Sequence, residues 1–153
     1  MDRGEQLLDA LWTVMNKKRS LDRSEWKTET PELNSTELRC IEYVGHHPNV
    51  NATRLAEAFY MTTGAASKLT KKLLTKGFLV RYQKLENRKE VYFRLTEQGE
   101  TLYQVLAGIR EKMVKRDQPV FDQLTDAQYE TILGFAKSYS DHLDRVARQS
   151  GER

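Results

Sequence analysis

A disulfide within this chain is excluded, because Cys40 is its one cysteine, and a lone thiol cannot by itself build a thiolate metal site. Nowhere does an apolar run approach the roughly 20 residues that cross a bilayer. The opening Met1-Asp2-Arg3-Gly4-Glu5-Gln6 also lacks the basic-then-apolar order of a secretory leader. Both absences fit a cytoplasmic protein without a membrane partner. Proline is scarce, and Pro31, Pro48 and Pro119 each fall where an apolar stripe breaks off. There is no internal repeat, no low-complexity segment, and no nucleophile elbow, phosphate-cradling glycine loop or His-Glu-x-x-His spacing. An enzyme is therefore not indicated, and neither is a cofactor. His46 and His47 are adjacent, so on a helix they diverge and cannot chelate as an i, i+4 pair would, and His142 is far along the chain. No metal is expected.

What is present is charge, unevenly placed. The chain of 153 residues is 31% charged and 39% hydrophobic, with a formal balance of only +3. That sum is too small to identify a polyanionic partner, so the distribution has to decide. From Thr62 to Arg94 there are nine basic residues against Glu86 and Glu90, a balance of +7, while the remainder holds 16 basic and 20 acidic residues. A positive segment in an acidic frame would orient the molecule toward a polyanion.

Apolar periodicity predicts a mainly helical chain. Leu8, Leu11, Trp12 and Met15 recur at i, i+3, i+4, i+7 with Leu7 beside them, which predicts a helix over about Arg3 to Arg19. Ser20 to Pro31 is weakly periodic and reads as a connection or a short irregular helix containing Trp26. Asn34 followed by Glu37 forms a capping box, opening a helix that turns Leu38, Cys40, Ile41 and Val44 inward and ends near Gly45-His46-His47-Pro48. Asn51 caps a short helix with Leu55, Ala56 and Phe59. Thr62 then caps a third helix, closed by Gly77, in which Ala66, Leu69 and Leu73 share one side. Its other side is basic and hydroxylated. Three such helices, the last two closely spaced, make a helix-turn-helix.

Two strands are predicted next, Phe78–Tyr82 and Glu90–Leu95, joined by a polar tip with Lys84, Arg88 and Lys89. A basic hairpin directly behind a helix-turn-helix is a wing. Thr96 caps a further helix with Leu102, Val105, Leu106, Ile109 and Met113, which Pro119 is expected to end. Thr125-Asp126-Ala127-Gln128 is a second capping box, opening a helix with Ile132, Leu133, Ala136, Tyr139, Leu143 and Val146. That stripe is long for a core of this size, so part of it is expected to bury against a second protomer together with the first helix. The last four residues are expected to fray.

In this order of elements the chain resembles the MarR family of winged-helix transcriptional regulators. The resemblance rests on Leu55-Ala56, on Thr62 to Leu73, on Lys76-Gly77-Phe78-Leu79-Val80-Arg81, and on Leu95-Thr96-Glu97-Gln98-Gly99. It implies a mainly α (α+β) fold, a single domain with a winged helix-turn-helix DNA-binding lobe at 33–98 and dimerisation helices at 1–32 and 99–153. It also implies a homodimer on a palindromic double-stranded operator, with repression relieved by a small aromatic or phenolic effector. Family wings commonly carry an Asp-x-Arg triplet whose arginine enters the minor groove. Here the aligned triplet is Asn87-Arg88-Lys89, so the ion pair is lost and either Arg88 or Lys89 leads.

The DNA-contact candidates are Thr62, Thr63, Gly64, Ala65, Ser67, Lys68, Lys71, Lys72, Arg81, Asn87, Arg88 and Lys89. Those in the first turn of the reader helix should meet base edges, and Lys71, Lys72 and Lys76 should meet phosphates. An effector crevice is expected between the two lobes, lined by Trp12, Met15, Cys40, Tyr43 and aromatic residues near the wing base. Cys40 on an apolar face otherwise behaves as a small buried hydrophobe. The alternative is a winged helix that serves as a protein-interaction or architectural module without sequence-specific reading.

Overall fold

The computed structural model describes residues 1–30 and 32–151. Pro31 and the expected fraying of Glu152 and Arg153 lie outside them. The order of elements is α1 (Arg3–Glu29), α2 (Ser35–His46), α3 (Ala52–Phe59), α4 (Thr63–Thr75), β1 (Leu79–Lys84), β2 (Asn87–Leu95), α5 (Glu97–Phe121) and α6 (Asp126–Gln149). Two compact units divide the chain, Met1–Glu111 and Lys112–Arg153, so the boundary falls within α5.

Local side-chain chemistry sets most helix starts in the first unit. Asn34, Asn51 and Thr62 are extended residues whose side-chain oxygens accept the backbone N–H groups of Glu37, Arg54 and Ala65, satisfying donors that a helix start leaves orphaned. Asp2 and Glu5 form a reciprocal capping box on α1, as the Asp-x-x-Glu spacing at the start of the chain allows. The expected box at Asn34 is only half formed. Glu37 supplies its N–H but turns its carboxylate to Lys76.

The core of this unit is one apolar cluster. Leu38, Ile41, Val50, Leu55, Ala66, Leu73 and Leu106 are essentially inaccessible to water, each large side chain contributing about 1.5–3 kcal/mol by burial. β1 and β2 pair antiparallel, with Leu79 opposite Leu95 and Tyr82 opposite Tyr92, and Val50 adds a single bridge to Phe93. That bridge ties the α2–α3 connection to the sheet.

Three boundaries differ from expectation. α1 continues through Ser20 to Glu29, because the end of its apolar stripe is not the end of the helix: no glycine or proline intervenes, and Lys18 pairs with Asp22 one turn on. The strands run into the supposed polar tip, leaving Leu85-Glu86 as the turn. Between Tyr82 and Lys84 the register slips, so that Lys84 faces Asn87. Polar residues are no obstacle there, since β2 is exposed from Asn87 to Val91. Finally, α5 passes through Pro119 and stops at Phe121. Pro119 has no N–H to give one turn back and its ring crowds the carbonyl there, and the helix ends two residues on.

In the second unit, α6 opens with a complete capping box between Thr125 and Gln128. None of the described residues of α6 is buried. No helix of the described residues is long and apolar enough to cross a membrane.

Candidate nucleic-acid interface

α4 divides its surface by period. Ala66, Leu69, Thr70 and Leu73 are buried, and Thr70 gives its hydroxyl hydrogen to the Ser67 carbonyl at 3.0 Å, so its polar atom is satisfied within the helix. Thr62, Thr63, Gly64, Ala65, Ser67, Lys68, Lys71 and Lys72 are all exposed. Gly64 and Ala65 leave the first turn without bulk, so another backbone or a base edge can approach closely there.

Lys76 does not join that row. Its Nζ donates to Glu37 Oε2 at 2.6 Å and to the Glu32 carbonyl at 3.3 Å. Glu37 is buried, so this lysine compensates a carboxylate in the core and anchors α4 to α2. The expected phosphate role for Lys76 is corrected accordingly. By contrast, Lys68, Lys71, Lys72, Arg81, Arg88 and Lys89 form no ion pair among the described residues. Their charge is directed at solvent.

In the wing, Arg81, Asn87, Arg88 and Lys89 are exposed. Asn87 Oδ1 accepts the Lys89 N–H at 3.2 Å, and Gln83 Nε2 donates to the Arg88 carbonyl at 2.8 Å. Asn87 thus braces the tip's backbone rather than a guanidinium. Lys84 lies over the Tyr92 ring at 4.9 Å and Arg94 over Tyr82 at 5.5 Å, which holds these two cations against the strands.

The wing is fixed to the helix-turn-helix by contacts that sequence reasoning missed. Asn51 caps α3 with its Oδ1 and donates its Nδ2 to Glu90 Oε2 at 3.1 Å. Tyr82 donates its hydroxyl to Asn49 Oδ1 at 3.1 Å, and Asn49 stands at φ 57. Only the last carried a local signal, since asparagine after proline readily takes the left-handed turn.

The four residues expected to line an effector crevice are placed differently from one another. Trp12 is 69% exposed and Met15 is exposed, whereas Cys40 is fully buried. Burial, with the charge of Glu37 adding to it, pushes the Cys40 thiol up to about 12, which leaves an inert thiol at neutral pH. Tyr43 is half-buried, stacked on His47 at 4.1 Å and edge-on to Phe59 at 5.7 Å. An open cleft of about 620 Å³ lies at the base of the wing, lined by His46, His47, Asn49, Tyr82, Phe93, Arg94 and neighbours, so it includes aromatic residues of the wing base but none of those four.

Residues 33–91 match the model of the MarR family. The chain is 36% identical over 97 residues to the uncharacterized HTH-type transcriptional regulator YhjH of Bacillus subtilis, covering 63% of this chain and 55% of that protein. It is 27% identical over 115 residues to the HTH-type transcriptional regulator PchR of the same organism, covering 72% and 66%. The chain therefore spans between about half and two thirds of these curated relatives. Among solved structures, Streptococcus pneumoniae FabT in complex with DNA superposes with a TM-score of 0.78 at 15% identity, covering 93% of this chain and 98% of that one. The transcriptional regulator SlyA gives 0.76 at 16%, covering 94% and 98%. At such identities the likeness shows the winged-helix fold alone.

Proposed function

We propose that this chain, whose residues 33–91 match the model of the MarR family, is a regulator of that type: a sequence-specific double-stranded DNA-binding transcriptional regulator, acting as a homodimeric repressor in the cytoplasm. The observation that carries the reading is the exposed face of α4, where Lys68, Lys71 and Lys72 stand without ion-pair partners beside the hydroxyls of Thr63 and Ser67 and the small first-turn residues Gly64 and Ala65. Such a face fits a major groove, with the first turn on base edges and the lysines on phosphates. Arg81, Arg88 and Lys89 extend the same charge onto the wing, toward an adjacent minor groove.

Two copies would present two α4 helices to one palindrome, with half-sites about one duplex turn, ~34 Å, apart. If each protomer neutralises ~4 phosphates, affinity falls with salt at a log–log slope of roughly −7. Selection from random oligonucleotides should return a palindrome, and the Lys68→Ala/Lys71→Ala variant should bind it more weakly with a flatter salt slope. Recovery of no motif, or unchanged binding by that variant, would sink the proposal. Release by a small aromatic or phenolic effector is supported by the family resemblance. A thermal-shift screen coupled to DNA displacement tests it, and compounds that stabilise the protein without displacing DNA count against it.

A further inference from the structure

We propose that Leu85, at the apex of the wing, probes the minor groove and selects against guanine there; this rests on the wing contacting DNA, as argued above. The two-residue turn Leu85-Glu86 joins strands paired at Lys84 and Asn87. Leu85 is 86% exposed, more than any other large hydrophobic residue among those described. A lone exposed leucine is ordinary on a protein surface. This one differs by its place and by what surrounds it.

The tip is built rather than slack. Gln83 holds the Arg88 carbonyl, Asn87 holds the Lys89 N–H, and Asn51 holds Glu90. Lys84, the charged neighbour before the turn, is drawn back over Tyr92. Arg88 and Lys89, on the strand after the turn, have no ion-pair partner among the described residues. Basic side chains thus flank an outward-facing apex of which Leu85 is the apolar half and Glu86 the acidic half.

The minor groove has apolar sugar walls, and its floor shows acceptors at A·T pairs but an added amino donor, N2, at guanine. Over an A·T pair, Arg88 or Lys89 finds acceptors while Leu85 packs against sugars. Over a G·C pair, the leucine strips water from the guanine amino group and offers no acceptor. Leaving a buried donor unsatisfied costs enough to weaken binding about 5-fold or more. Leu85 thus adds specificity by exclusion, without any hydrogen bond of its own.

The experiment uses the full chain and the palindrome it selects. Flanking pairs outside the two major-groove half-sites are replaced singly by A·T, G·C and inosine·C, the last lacking the N2 amino group. Wild type should disfavour G·C by about 5-fold relative to both A·T and inosine·C at one flanking position per half-site. Leu85→Asn, which supplies an acceptor and removes nothing from the core, should lose that discrimination with its salt slope unchanged, because an apolar contact releases no counterions. Equal binding of the three flanks by wild type, or discrimination retained in Leu85→Asn, overturns the proposal while the palindrome still supports DNA reading by α4. A wild type that selects no sequence overturns both.

Discussion

Thr96 holds three backbone groups at once. Its N–H donates to the Phe78 carbonyl at 3.1 Å, its hydroxyl donates to the Gly77 carbonyl at 2.6 Å, and its Oγ1 accepts the Gly99 N–H at 3.0 Å. Gly77 makes the turn at φ 84, and a Cβ on Gly99 would stand 2.2 Å from the Phe78 oxygen. The Leu-Thr-x-x-Gly run is thus a close backbone crossing between the exit of α4 and the start of α5. Gly99→Ala must push backbone, not a side-chain tip, and should lower unfolding stability by about 1–3 kcal/mol or more, read from the urea midpoint. Lys76 gives the complementary case. Lys76→Met leaves the Glu37 carboxylate buried without its cation and should cost about 1–3 kcal/mol, moderated by the lysine's partial exposure. Its DNA-binding salt slope should stay as in wild type, the reverse of Lys68→Ala/Lys71→Ala. A flattened slope in Lys76→Met would return it to the phosphate row. In the sequence Lys76 is indistinguishable from Lys68, Lys71 and Lys72, because its partner lies 39 residues away and no local pattern couples them.

At the level of elements, what could be read was what is decided locally. Asn34, Asn51, Thr62 and Thr125 cap the helices they were expected to cap, because a side chain reaching its own third neighbour needs no tertiary partner. The inward residues of α2 and α4 followed from periodicity for the same reason. The wing was only half legible. Its existence followed from Phe78 to Leu95, but the slipped register between Tyr82 and Lys84 depends on pairings across the hairpin, and the Val50–Phe93 bridge on a segment some forty residues upstream. Asn51 could be recognised as a cap but not as the tether of the wing. Asn51→Ser separates these two jobs. Serine keeps the cap, so stability should change by only a few tenths of a kcal/mol, while loss of the Glu90 contact frees the wing. Binding to the selected palindrome should weaken, and minor-groove protection at its flanks should fade in a hydroxyl-radical footprint. Intact protection would show that the Val50 bridge and the Tyr82–Asn49 bond hold the wing without Asn51.

For the whole molecule, the apolar surface left in water is the feature that a single chain does not account for. On α1, Leu7, Leu8, Leu11, Trp12, Val14 and Met15 are exposed, and on α6 so are Ile132, Leu133, Phe135, Leu143 and Val146. Patches of this kind on long helices mark interaction surfaces more often than solvent faces. Interleaving terminal helices of two copies would bury them and would place two α4 helices on one duplex. Because the +7 segment from Thr62 to Arg94 lies in an otherwise acidic chain, a second copy would double the attraction at the reading faces. Dimerisation and DNA binding are then one equilibrium, and breaking the first must weaken the second. Leu133→Glu with Leu143→Glu puts two carboxylates on the α6 stripe without touching a buried residue. The variant should sediment as a monomer with its helical content retained. Its DNA affinity should drop by at least tenfold, and its salt slope should fall from roughly −7 to about half that value as one protomer's phosphate contacts are lost. A dimeric variant would place the self-association surface elsewhere. A monomer with wild-type affinity and slope would mean that one chain reads its site alone.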